Sequence, residues 1–153
     1  MKMATFTVEF TKHVLANGRP DDAPHDVFLR DGHNRLIWQK SWFFTAFRQA
    51  LDLTGLRGIK PGDINVNLVI DAKTELYVRH YGRTGVRTHE AIMPGTQVKF
   101  EAVVEDRVTQ STLRNILEKL GHFVGLSPFG FNLGFGRFEV VDVNVNPSDA
   151  ATA

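Results

Sequence analysis

The sequence predicts an α+β fold: an antiparallel sheet with two helices packed on one of its faces. Three observations predict it. Apolar residues alternate with period two at Phe6, Val8 and Phe10, and again within residues 64–70 and 98–104. Two stretches, around Phe43 to Leu51 and Leu113 to Leu120, switch to helical spacing, and residues 137–145 return to a β-rich run. Period two places alternate side chains on one face of a strand, whereas spacings of three and four align them along one stripe of a helix.

Strand one covers residues 5–10. Residues 16–35 hold Gly18, Pro20, Pro24 and Gly32 among clustered Asp and Asn, turn chemistry that predicts a long loop with a short strand at 27–29. Phe43, Phe44, Phe47, Ala50 and Leu51 form the core stripe of helix one, which Ser41 can cap and Gly55 can end. After the turn Lys60-Pro61-Gly62-Asp63, the alternation of Ile64, Val66, Leu68 and Ile70 predicts strand two, with residues 75–81 expected to pair with it. A glycine-bearing polar excursion follows, then strand three at 98–104. Leu113, Ile116, Leu117 and Leu120 mark helix two, residues 109–120, capped by Thr109 or Ser111 and closed by Gly121. Residues 137–145 form strand four. Strand, helix, strand pair, strand, helix, strand is the split βαβ or ferredoxin-like arrangement, in which the open sheet face is a common nucleic-acid platform.

At 153 residues the chain has room for one domain, residues 1–146, followed by a small polar tail, 147–153, expected to be disordered. A hydrophobic share of 42% with 23% charged residues suits a soluble protein, since no apolar run approaches the ~20 residues of a membrane span. The start, MKMATFTVEF, alternates instead of forming the apolar core of a secretory signal, and cysteine is absent, so the expected location is cytoplasmic. Zero cysteines exclude disulfides, thiolate metal sites and a cysteine nucleophile. Net charge is only +1, so a polyanionic partner would have to be met by a local basic patch.

Residues 121–136 carry Gly121, Gly125, Gly130, Gly134 and Gly136 with Phe123, Phe129, Phe131 and Phe135. Backbone amides in such a loop can hold phosphates, and aromatic faces can stack bases at about 1–3 kcal/mol each. The competing reading makes the phenylalanines core plugs and the glycines the means of a tight crossover. No Gly-Lys-Ser/Thr follows, and the loop leads from helix to strand, so neither a P-loop nor a dinucleotide fingerprint is present. A second constellation gathers Arg79, His80, Tyr81, Arg83, Arg87 and His89 around Gly82 and Gly85, arginines and an aromatic that can neutralise phosphates and stack on bases. A solvated hairpin tip is the alternative. Arg48 lies off the apolar stripe of helix one, facing solvent or a phosphate.

No two of the six histidines have the i, i+4 spacing of a helical metal site, and neither metal nor other cofactor is expected. A metal-free ribonuclease would need a general base and a cation, for which His25 or His33 with Lys40 are the candidates. Asp26 and Asp31, in the same loop, are either metal-assisted cleavage residues or turn caps.

The run EAIMPGTQVKFEAVVED, followed by helix two and then GLSPFGFNLGFGRFEV, resembles the CRISPR-associated RAMP superfamily. Pro94-Gly95-Thr96 matches that family's strand-opening motif, and Gly134-Phe135-Gly136-Arg137-Phe138 matches its G[FYW]GRF before the last strand. KSWFFTAFRQAL sits where the family places its first helix, without the usual Gly-Ser-Ser-Leu-Arg-Gly opening. The resemblance implies a ferredoxin-like, RRM-related domain that binds RNA through helix one and the glycine-rich loop. It implies single-stranded RNA as partner, a guide RNA among the options, together with other RAMP-like subunits or further copies of the chain; residues 81–91 are the one insertion able to act as a finger. The expected RNA contacts are Arg79, Tyr81, Arg83, Arg87, Arg48, Gly130, Gly134, Phe135, Gly136 and Arg137. Rival readings are a metal-independent endoribonuclease of the same superfamily and a protein-assembly module of a mobile element.

Overall fold

The structure, a computed structural model, describes residues 1–127 and 134–146. In chain order the elements are β1 (Lys2–Phe10), β2 (Val14–Leu15), β3 (Leu29–Arg30), β4 (Leu36–Ile37), α1 (Lys40–Thr54), β5 (Ile64–Val66), β6 (Val69–Ile70), β7 (Glu75–Tyr81), β8 (Gly85–Ile92), β9 (Gln97–Val104), α2 (Gln110–Lys119) and β10 (Phe138–Val145). The main sheet runs β10-β1-β9-β5 with every neighbouring pair antiparallel, and two small three-stranded sheets, β2-β8-β7 and β3-β4-β6, flank it.

Alternation decides which face of the main sheet is covered. Ala4, Phe6, Val8 and Phe10 of β1 and Val98, Phe100, Ala102 and Val104 of β9 are all buried. They share one core with Phe43, Phe47 and Ala50 of α1 and with Leu113, Ile116 and Leu117 of α2. Phe100 is the hub: its ring stacks on Phe6 at 5.0 Å and meets Trp38 at 5.7 Å and Phe43 at 5.9 Å. The expected α+β fold, with antiparallel sheets and two helices, is therefore present.

The opposite face departs from expectation. Register places Thr5 beside Glu101, Thr7 beside Lys99 and Asp142, and Glu9 beside Gln97 and Glu139. Four carboxylates against one lysine, with no aromatic ring among them, repel a polyanion and give a base nothing to stack on. The described residues of this face thus do not offer the cations and rings expected of a nucleic-acid platform.

Other differences have local causes. Residues 64–70 are two strands in different sheets, because the chain kinks at Asn67: its amide donates to the Glu101 carbonyl at 2.8 Å while its Oδ1 accepts the Val69 N–H at 3.1 Å. Residues 75–81 pair with β8, which occupies much of the excursion read as polar loop. Gln39, not Ser41, precedes α1, and Gly55 ends it in the left-handed conformation as expected. Thr109 caps α2, its Oγ1 accepting the Thr112 N–H at 3.2 Å. Gly121 does not close that helix; the chain continues through a π turn, Leu120–Val124, and turns only at Gly125.

Replacing Phe100 by Ala removes the ring on which Phe6, Trp38 and Phe43 converge. Urea unfolding of Phe100→Ala is expected to show a loss of about 3–5 kcal/mol; a loss below about 1 kcal/mol would show that the hub lies elsewhere.

Candidate nucleic-acid interface

The glycine-rich loop leaves the body through a closed neck. The Leu126 N–H donates to the Gly136 carbonyl at 2.9 Å, the Gly136 N–H donates to the His13 carbonyl at 2.7 Å, and the Leu15 N–H reaches Ser127 Oγ at 3.4 Å. The backbones approach so closely that a Cβ on Gly136 would lie 2.6 Å from the Leu126 carbonyl carbon, and one on Gly125 would lie 2.4 Å from the Phe135 oxygen. Both residues also have positive φ, +75° and +86°, which disfavours any side chain. These two glycines therefore serve a tight crossing, and the Gly136 amide is spent on the neck instead of being left for a phosphate. Gly130, Phe129 and Phe131 lie outside the described residues.

A groove opens at each described end of the loop. At the far end a cleft of about 370 Å³ is lined by Lys12, His13, Tyr77, Gly134, Phe135 and Arg137 among others. The His13 ring lies on Tyr77 at 4.3 Å, and Tyr77 meets Phe135 edge-on at 5.8 Å. Arg137 Nε is buried there with no hydrogen-bond partner among the described residues. Burial, aided by the charge of Lys12, lowers the His13 pKa and keeps its imidazole neutral at pH 7. Cations and aromatic faces thus share one concavity. At the near end a groove of about 450 Å³ runs between α1 and Gly125, lined by Asn17, Trp42, Thr45 and Gln49 with other uncharged groups.

The hairpin β7–β8 places Arg79, Tyr81, Arg87 and His89 on one face. Sequence reading gave them a common role; the structure divides them. Arg87 Nε and Nη2 hold the fully buried Asp26 carboxylate at 2.6 and 2.8 Å. His89, also fully buried, directs Nδ1 at the Ala16 carbonyl, 2.8 Å, and at Asp26 Oδ2, 3.0 Å. Arg79 Nε donates to His89 Nε2 at 3.1 Å, which makes Nδ1 the protonated nitrogen of a neutral ring, and its guanidinium lies 5.1 Å over the Tyr81 ring. Desolvation lowers the His89 pKa against the pull of Ala16 and Asp26. Glu90 adds a second tie, accepting the Phe28 N–H at 2.8 Å and pairing with Arg30. Arg83, in the turn beyond Gly82, is exposed.

Asp26, a cleavage candidate by sequence, is a buried structural anion. Asp31 is a turn cap that accepts the Arg35 and His33 N–H groups, both at 2.9 Å, and these bonds hold its pKa low, the Arg35 amide foremost. His25 lines a surface hollow beside Arg30 and Glu90, His33 sits on the exposed turn between β3 and β4, and Lys40 lies by the groove between α1 and β5, so these three do not meet. Arg48 is exposed on the outer side of α1 and lines neither loop groove. Among the described residues no group of three His, Asp or Glu could hold a metal ion. Lys12, His13 and Tyr77 escaped sequence reading; a Lys-His pair one residue beyond the end of β1 was the available clue.

No protein-family model and no curated protein matches the sequence. Among solved structures, a chain of the type III-B Cmr-beta complex bound to cognate target RNA matches with a TM-score of 0.62 at 12% identity, covering 95% of this chain. This chain spans 61% of that one. A chain of the Csm3-Csm4 subcomplex of the type III-A CRISPR-Cas interference complex matches at a TM-score of 0.46 and 14% identity, over 99% of this chain and 82% of that one. The chain thus shares its fold with a chain of that type III-B complex, in agreement with the sequence resemblance to the CRISPR-associated RAMP superfamily.

Two outcomes follow from the buried network and from the cleft histidine. Arg87→Ala strands a buried carboxylate and is expected to cost about 2–3 kcal/mol in urea unfolding, whereas Arg83→Ala, exposed in the turn, costs under about 0.5 kcal/mol. Both His13 and His89 have pKa values below 6.5, so the unfolded chain binds more protons than the native one just under that pH. Their contribution is complete above about pH 6.5 and is lost as pH falls towards their folded-state values. Urea midpoints at about pH 7.5 and pH 5.5 read it; a Gln replacement at His89 should flatten the difference, and a midpoint that rises on acidification contradicts the assignment.

Proposed function

We propose that this protein binds single-stranded RNA through the cleft at the far end of its glycine-rich loop, as a RAMP-like subunit whose partners are RNA and other subunits of its class. The observation that carries the reading is the convergence of Lys12 and Arg137 with the rings of Tyr77 and Phe135 in one concavity. The cations neutralise phosphates and the rings offer faces to bases, which is the combination that sequence-tolerant single-strand binding requires. The sheet order β10-β1-β9-β5 supports a split βαβ, ferredoxin-like core, since it is the order two interleaved βαβ units give. The neighbour of like fold comes from a complex bound to target RNA, which agrees with this partner.

In this reading Gly134, Phe135 and Arg137 contact the strand directly, and Gly136 shapes the neck that presents them. Tyr81 and Arg83 extend the surface at the hairpin tip, while Arg79 and Arg87 contact RNA only after holding the hairpin. Arg48 and Gly130 are left without an assigned contact. Binding, not cleavage, is the activity favoured, because His25, His33 and Lys40 lie on separate surfaces.

Fluorescence anisotropy with a labelled unstructured RNA tests the proposal. Affinity should fall steeply as salt rises, and the double replacement Lys12→Ala, Arg137→Ala should weaken binding by about tenfold or more while reducing the log–log salt slope by about 1–2. A Glu101→Gln control on the opposite face should leave the slope unchanged. Absent or salt-insensitive binding by the wild-type protein would sink the reading.

A further inference from the structure

The near groove has a chemistry that phosphate binding does not use. No cation lines it. Its walls are Asn17, Gln39, Ser41, Thr45 and Gln49, with Trp42 beside them and the loop neck at Gly125 and Ser127 opposite. Ser41, Thr45 and Gln49 recur every four residues along α1, so one stripe of the helix, flanking its core stripe, is polar and neutral. Gln39 occupies the cap position of α1, yet its side chain caps nothing. None of these five side chains makes a hydrogen bond among the described residues, whereas Ser127 on the other wall is engaged by the Leu15 N–H.

Three carboxamides and two hydroxyls, each able to donate and accept, face a concavity large enough for a nucleoside. Amide side chains match the paired donor and acceptor atoms on a base edge, and a half-buried indole offers a stacking face, which is how single-stranded RNA is read for sequence. A phosphate would find no charge to neutralise there. The groove and the cationic cleft lie at the two ends of one loop whose ends are bonded together at the neck, so a strand held in the cleft has a short path to the groove.

We propose that this groove is a base-reading subsite: it accepts one unstacked nucleobase of the bound RNA and selects it through Asn17, Gln39 and Gln49. The proposal rests on the RNA-binding reading above and adds selectivity to it, where the cleft alone predicts none.

The test measures anisotropy of the full chain with labelled oligo-A, oligo-C, oligo-U and an abasic oligomer of equal length. One homopolymer should bind about tenfold or more tightly than the other two, and the abasic strand more weakly than all three. Gln49→Ala should reduce that preference to about twofold or less while leaving binding to the non-preferred strands within about threefold of wild type. Asn17→Ala, a change in an exposed loop residue, serves the same purpose if Gln49→Ala perturbs the helix, which circular dichroism reports. The double replacement of Lys12 and Arg137 should lower all affinities together and keep their ratios. Wild-type affinities for the three homopolymers within about twofold overturn the base-reading proposal and leave the RNA-binding reading standing; no binding of any strand overturns both.

Discussion

The crossing of two backbone segments at Gly125–Leu126 and Phe135–Gly136 is the constraint on which the surface of this protein depends. With the Leu126 and Gly136 amides bonded across the neck and to the segment after β1, the loop between them has its base fixed whatever its own conformation. That closure brings Arg137 and Phe135 to the side of Lys12 and His13, and Gly125 to the side of α1. No side chain larger than hydrogen fits at Gly125 or Gly136, so these two glycines answer a steric demand before they answer a ligand.

A net charge of +1 conceals a separation of charge. Carboxylates collect on the outer face of the main sheet at Glu9, Glu101, Glu139 and Asp142, while Lys12 and Arg137 stand in a cleft on the loop side. Separation of this kind lets a nearly neutral chain present a polyanion with one attractive surface and one repulsive one. Orientation on a nucleic acid would then be set by the field as well as by contacts.

Beneath the hairpin lies a costly arrangement: a buried carboxylate, a buried neutral imidazole and two guanidinium groups within hydrogen-bond distance of one another. A buried pair of this type adds little net stability over an apolar equivalent, yet losing one member is expensive, so it enforces geometry more than it strengthens the fold. Asp26 thereby ties the long loop after β2 to the hairpin, and the hairpin in turn supplies Tyr77 to the cleft. A loop rich in Pro, Gly and Asp becomes one wall of the molecule through a single carboxylate.

What the sequence by itself determined follows from periodicity and local chemistry. Alternation in β1 and β9, the stripes of α1 and α2, the Thr109 cap and the Gly55 stop are short-range effects, legible because each depends on residues a few positions apart. The Gly-Phe-Gly-Arg-Phe motif likewise pointed to the fold that the type III-B neighbour shares. Partnership across long separations was decided only by the tertiary structure. Arg87 reads as a free cation until Asp26, 61 residues away, is seen to hold it, and Asp26 reads as a surface acid until it is seen to be buried. Tyr77 and Arg137 line one cleft, with β7 paired to β8 and not to the strand before it. Whether an apolar alternation continues one sheet or starts another is settled by backbone bonds such as those at Asn67, and no period in the sequence encodes them.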